Sequence, residues 1–466
     1  MRKNVFKMVG VAMLLFTMNS CGDKTTTGED ADAPLVFSPL TVEQQKSTIS
    51  NDGIALGDKM EVMKETPAIK TVEFLSSSDI NTPSFSAPLR ELRAGLLRND
   101  VKAMETFNKQ MTSPSQLESA KWGTHTWRES TQTYDFIKGI YGTVIVKFPA
   151  DAASKYNETN NGTLTIVYVS SSVAVPENPS EKMPASLSVK LSVGTVEALS
   201  YQFTGAYKSD ATPTLLSSTL VIGDFNWSAK ATNNDKDVAA EFAFKHKEQV
   251  LLKYTAGVSG TLTVDAIKES KGPEDVFTSG YMSFQVMNTA IYGGVTDFKT
   301  FYNGMSSIKE DTVYHKDYNG NILWYNTTRP KAGHEQEVLL MNKHLKFYGY
   351  FVKENGKFAD VEFYLNEYQA TDYDQSKGTL VYTQKSYNDP WPRVEYDYMT
   401  YEKVYNTTTK MDDYVAKFYL YGTKTQYESA PRLVLKDGTK VTDFAKYAND
   451  NFKTVIDKFQ KMLPKN

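Results

Sequence analysis

The amino-acid sequence predicts an α+β protein: N-terminal helices packed on a large curved antiparallel β-sheet, followed by a second antiparallel-sheet domain with a C-terminal helix. Three observations carry that prediction. Between residues 41 and 112 the apolar residues recur at steps of three and four; from Trp122 onward they alternate. In addition, 22 of the 29 tyrosines fall in the last 186 of the 466 residues. A period near 3.6 marks helices with one buried face, and a period of two marks half-buried strands. Helices and strands grouped in blocks, not strictly alternating, point to α+β and not to a parallel α/β sheet.

In order along the chain, Arg2, Lys3 and Lys7 precede eleven uncharged residues, Met8 to Met18. Eleven helical residues span about 16 Å, half of a bilayer's apolar core, so the run is too short to cross a membrane and has the build of a secretory leader. Cys21 is the only cysteine of the chain, preceded by Met18-Asn19-Ser20 and followed by Gly22. This resembles the bacterial lipoprotein signal, in its relaxed Bacteroidota form. The resemblance implies cleavage after Ser20, acylation of Cys21, and an outer-membrane lipoprotein anchored by its lipid. Residues 1–20 would then be a signal peptide and residues 21–40 an acylated cysteine with a flexible tether rich in Thr, Asp and Glu. Acidic residues soon after the cysteine (Asp23, Glu29, Asp30, Asp32) resemble the signal for display on the outer face. The mature chain carries 49 Lys and Arg against 55 Asp and Glu, a net charge of −6.

Residues 41–270 read as a helical layer plus an antiparallel sheet. Thr41 with Gln44 makes a capping-box pattern. Ile54, Leu56, Met60 and Met63, then Ile69, Val72, Phe74 and Leu75, lie at helical spacing. The strongest amphipathic stretch runs over 88–111, with Leu89, Leu92, Leu96, Leu97, Val101, Met104, Phe107 and Met111 on one face. Val144, Val146 and Phe148 begin the alternating runs, followed by Leu164, Ile166 and Tyr168, then Leu187, Val189, Leu191 and Val193. Residues 271–466 read as a Tyr-rich α+β domain. Hairpins are expected at Asn319-Gly320, Asn355-Gly356 and Asp437-Gly438, with a short helix near Asp297–Met305 and a closing amphipathic helix from Phe444 to Leu463.

The segments His125-Thr126-Trp127, Phe148-Pro149-Ala150 and Asn160-Asn161-Gly162-Thr163-Leu164-Thr165 resemble corresponding steps in uncharacterised Bacteroidota lipoproteins. That resemblance implies compartment and fold, and no activity.

Composition excludes several function classes. A net charge of −3 for the whole chain leaves no basic surplus for a phosphate backbone, so no nucleic-acid partner is expected. One cysteine makes neither a disulfide nor a Cys-ligated metal site. Catalytic motifs are near misses: His334-Glu335 starts an HExxH, but Val338 stands where the second histidine belongs. Neither a metal site, nor a cofactor, nor catalysis is expected. Binding is easier to place. Trp391, held between Pro390 and Pro392, and Tyr396 and Tyr398, on one face of a strand, form a candidate surface for a glycan or other envelope component. Asp311-Thr312-Val313 resembles the Bacteroidota O-glycosylation sequon, with Thr312 as acceptor. The alternative is a carrier holding an apolar ligand or lipid between the helices and the sheet.

Overall fold

The computed structural model describes residues 36–77, 80, 122–176, 178–316, 322–372, 380–384, 399–407, 411–419 and 422–462. Cys21, the amphipathic stretch 88–111, Asn319-Gly320, Trp391, Tyr396 and Tyr398 lie outside the described residues.

Two helices come first, α1 (Val42–Lys64) and α2 (Pro67–Ser77). The capping box at the start of α1 is formed: Gln44 N donates to Thr41 Oγ1 at 3.3 Å and Thr41 N donates to Gln44 Oε1 at 2.9 Å. Pro67 opens α2, where its missing N–H costs nothing, and disfavours helix in the residue before it.

The strands follow: β1 (Gly123–Arg128), β2 (Thr133–Lys138), β3 (Thr143–Phe148), helix α3 (Ala152–Tyr156), β4 (Gly162–Val175), β5 (Asn178–Val193), β6 (Val196–Tyr207), β7 (Pro213–Ile222), β8 (Phe225–Asn233), β9 (Asp237–His246) and β10 (Gln249–Gly260). Next come α4 (Val264–Glu269), β11 (Phe277–Val286), β12 (Thr289–Val295), α5 (Phe298–Ser307), β13 (Asp311–Lys316), β14 (Ile322–Thr328) and α6 (Lys331–His344). The rest are β15 (Leu345–Phe351), β16 (Gly356–Asp372), β17 (Leu380–Gln384), β18 (Met399–Asn406), β19 (Met411–Tyr419), β20 (Gly422–Leu435), β21 (Lys440–Val441) and α7 (Phe444–Met462).

Sixteen of these strands form one sheet, in the order β2-β1-β3-β4-β5-β6-β7-β8-β9-β10-β11-β12-β15-β16-β20-β21. β1 and β3 pair in parallel, while the successive hairpins from β3 to β12 pair antiparallel. Cross-strand register carries one apolar row through Val146, Leu164, Leu191, Leu199, Ile222 and Phe225. Onto that face α2 lays Ala68, Ile69, Val72 and Leu75, all buried in the same cluster. Further along, Leu56 and Met63 of α1 pack with Phe225, Phe244, Leu251 and Met287.

The compositional shift at residue 271 falls inside this sheet, because β10 pairs with β11 from Leu252↔Val286 to Gly260↔Phe277. The residues between them make an excursion closed by Thr261 N donating to Val276 O at 2.8 Å, with Leu262 and Val276 buried. The closing helix, expected within the second domain, packs on α1 instead: a side chain at Gly53 would collide with Val455 of α7, so glycine there permits the helices' approach. Two hairpins form with longer loops than two-residue turns. After β15 the chain turns through Val352–Asn355, with Asn355 in the left-handed region at φ 47°. After β20, Gly438 N donates to Leu435 O and Leu435 N to Thr439 O, both at 2.9 Å, with Gly438 at φ +83°. That is a type I turn followed by a glycine bulge.

Two compact units partition the chain. One comprises described residues within Met1–Gly304, Asn342–Glu362 and Arg432–Asn466; the other, those within Met305–Met341 and Phe363–Pro431. The second unit contains the β13–β14 hairpin and the three-stranded sheet β17-β19-β18. Helix α6 has little sequence signature. Val338, Leu339, Leu340 and Met341 are consecutive, so they cannot share one face, and Leu339 is exposed.

Candidate functional site

The three segments singled out in the sequence, around Trp127, Ala150 and Asn160, meet at one corner of the first unit. β1 turns His125 and Trp127 inward by strand alternation, and both are buried. Asn160 Nδ2 donates to Trp127 O at 2.8 Å, and Ala150 N donates to Asn161 Oδ1 at 2.9 Å. Asp151 caps α3 by accepting from Ser154 N at 2.7 Å, which positions Lys155 and Tyr156 on that single helical turn. The turn after β1 brings Glu129 alongside. Its carboxylate accepts from Trp127 Nε1 at 2.8 Å and from Gln132 Nε2 at 2.6 Å.

Between these pieces and α2 lies an open depression of about 420 Å³, lined by Phe74, Glu129, Ala152, Lys155 and Tyr156. The Trp127 indole N–H, then Gln132 and the Lys155 ammonium, hold the Glu129 carboxyl below its usual range, so it stays an anion in mildly acid solution. Lys155 Nζ stands 3.9 Å from Glu129 Oε1, close enough for attraction and too far for a hydrogen bond. Tyr156 is 88% exposed, a large apolar ring left in water beside a fixed anion and a cation. Among the described residues one carboxylate, Glu129, lines the depression.

A buried polar cluster lies in the second unit. Arg329 Nη1 is 2.8 Å from Glu337 Oε2; the same oxygen is 3.2 Å from His334 Nδ1 and accepts from Ser429 Oγ at 2.9 Å. His334 is thus paired with Glu337, one turn along α6, while the Glu335 of the near-HExxH points to solvent. Ser429 Oγ bonds the carboxylate and, at 3.4 Å, the His334 carbonyl, which is not the arrangement of a nucleophile activated by an imidazole.

Of the residues singled out from sequence, Thr312 is exposed on β13, opposite Thr327. Cys21, Trp391, Tyr396 and Tyr398 belong to the segments outside the described residues. Glu129, Lys155 and Tyr156 had no individual signature: only the neighbouring Trp127 lay in a singled-out segment, and the α3 turn depends on a lone Asp151 cap. Among the described residues no group of three or more His, Cys, Asp and Glu side chains is placed to hold a metal ion, and no helix is long and apolar enough to cross a membrane. No known protein family, curated protein or solved structure matches the chain.

Proposed function

We propose that the protein is an envelope lipoprotein, anchored in the outer membrane through acylated Cys21 and displayed outward, that binds a glycan or another envelope component without catalysing its conversion. What supports the binding reading is the depression beside Trp127. A ring on the Asp151-capped single-turn helix offers a face for the C–H side of a sugar, and Glu129 and Lys155 offer an acceptor and a donor for its hydroxyls. Tyr156→Ala is expected to weaken glycan binding about tenfold, the worth of one aromatic contact near 1.4 kcal/mol. A glycan array read with the mature chain, followed by titration of the hits, measures it. Unchanged affinity in both Tyr156→Ala and Glu129→Gln overturns the assignment.

One observation favours a second reading, the carrier. It pictures a curved sheet partly closed over by helices, with an apolar ligand between. Where α2 meets the sheet, side chains are already in contact. Further along the same face, however, Met282, Phe284 and Ile291 are 40%, 41% and 56% exposed, beyond the Leu56 and Met63 contacts of α1. Displacement of a fluorescent fatty acid tests this reading. Binding that Ile291→Asp abolishes supports it; no binding removes it.

A further inference from the structure

The tyrosine enrichment of the second half has a structural counterpart on the other face of the same strands. Strand alternation places Met282 and Phe284 on the core side of β11, and Tyr281 and Ser283 on the opposite side. In register, Tyr281 faces Gly257 of β10 and Gly294 of β12, Ser283 faces Tyr292, and Tyr292 faces Tyr348 of β15. Tyr350 follows two residues on from Tyr348, on the same side. All four tyrosines belong to the first unit.

Their rings form a continuous row. Tyr281 and Tyr292 lie 6.5 Å apart with planes 8° from parallel; Tyr292 and Tyr348 lie 4.9 Å apart at 20°. Tyr350 closes the row edge-on to Tyr348, at 5.7 Å and 60°. Two glycines make room for it. A Cβ on Gly257 would come 2.5 Å from Tyr281 Cε1, and one on Gly294 would come 2.8 Å from Tyr292 Oη. The rings of Tyr281 and Tyr292 therefore rest over bare backbone and are fixed before any ligand arrives, which reduces the entropy lost on binding. Two lysines on this face have acid partners: Lys253 with Glu241 at 3.0 Å and Lys357 with Asp360 at 2.8 Å. Burial first, then the neighbouring tyrosines, pushes the Tyr348 hydroxyl up to about 12, so it remains a donor at any physiological pH.

We propose that Tyr281, Tyr292, Tyr348 and Tyr350 form a second binding platform, for an extended neutral polysaccharide chain. Three adjacent strands set the row about 10 Å wide, longer than one sugar ring and suited to several consecutive ones. Aromatic faces with hydroxyl edges match alternating C–H and O–H groups. Lys253 and Lys357 already have acid partners, and Glu241 and Asp237 stand near Tyr281, so a polyanion would meet carboxylates there. The proposal rests on the glycan-binding reading but uses residues remote in sequence from Glu129, Lys155 and Tyr156, so the two can fail separately.

Affinity electrophoresis of the mature chain through gels containing a soluble β-glucan, a xylan, a mannan or, for contrast, the polyanion alginate is the test. At least one neutral polymer is expected to retard the protein more than alginate does. The double variant Tyr292→Ala/Tyr348→Ala is expected to weaken that retardation tenfold or more. Ser283→Glu keeps every ring, places an unpaired charge in the row, and is expected to act in the same direction even if the double variant misfolds. Retardation unchanged in Ser283→Glu, or by no neutral polymer at all, overturns the platform. Loss in Tyr156→Ala with both row variants unaffected leaves the depression as the glycan site and reduces the row to cross-strand packing. Loss only in the row variants leaves the platform standing and removes the depression.

Discussion

Glu337→Ala is expected to lower the unfolding free energy of the second unit by about 3–5 kcal/mol, the loss typical of a buried ion pair stripped of one partner. Glu337 and Arg329 expose only 5% and 9% of their side chains. Arg329 Nη1 lies 2.8 Å from the Glu337 oxygen yet off the line of a hydrogen bond, and among the described residues the buried Nε has no hydrogen-bond partner. The attraction between them is thus mainly ionic. Glu310, itself 37% exposed, is the other acid on the guanidinium, at 3.1 Å. Without Glu337, the guanidinium keeps its desolvation cost and one half-exposed counter-charge, and Ser429 Oγ loses its acceptor. Urea titration followed by circular dichroism measures the change. The double variant Arg329→Met/Glu337→Leu is expected to recover most of the loss, since it leaves no uncompensated buried charge. A drop below about 1 kcal/mol for Glu337→Ala would place the pair with ordinary surface salt bridges and refute the assignment.

Cys21→Ala is expected to move the protein from the membrane fraction to the soluble fraction. Under the proposed anchoring, two or three acyl chains on Cys21 supply about 0.8 kcal/mol for each buried CH₂. Among the described residues no helix replaces them as a membrane span, and a net charge of −6 for the mature chain gives no electrostatic hold on anionic lipid. Fractionation after metabolic labelling with palmitate reads both steps. Label on the wild type and none on Cys21→Ala, with release of the variant, is the expected pair of results. A variant that stays with the membrane sinks the anchor.

How far the sequence reached depended on the range of the interaction involved. The Thr41–Gln44 capping box spans three residues and could be read directly; so could the alternation that buries Val144, Val146 and Phe148. The hairpins at Asn355 and Gly438 announced themselves by turn residues able to adopt positive φ, although their loops came out longer. Helix α6 was not legible, since its apolar residues are bunched and Gly333 sits in its first turn. Nor could composition reveal that the sheet runs past residue 271: strand pairing across an excursion is decided by two edges meeting, and no local pattern encodes it.

The candidate sites divide in the same way. Local periodicity determined the broad layout, N-terminal helices before a large mostly antiparallel sheet and a helix at the end, and the short resemblance around Cys21 carried the expectation of acylation, because each depends on neighbours within a few positions. Only the tertiary structure decided that Glu129, Trp127 and Tyr156 share a corner with Phe74, that α7 closes on α1, and that Arg329, Glu337 and Ser429 form one buried cluster. Tyrosine enrichment was countable in the sequence, yet it became a row of parallel rings only when β11, β12 and β15 paired in register. Side chains far apart along the chain meet because burying apolar strand faces and satisfying backbone hydrogen bonds fixes one register. That is a property of the folded whole, carried by no single segment.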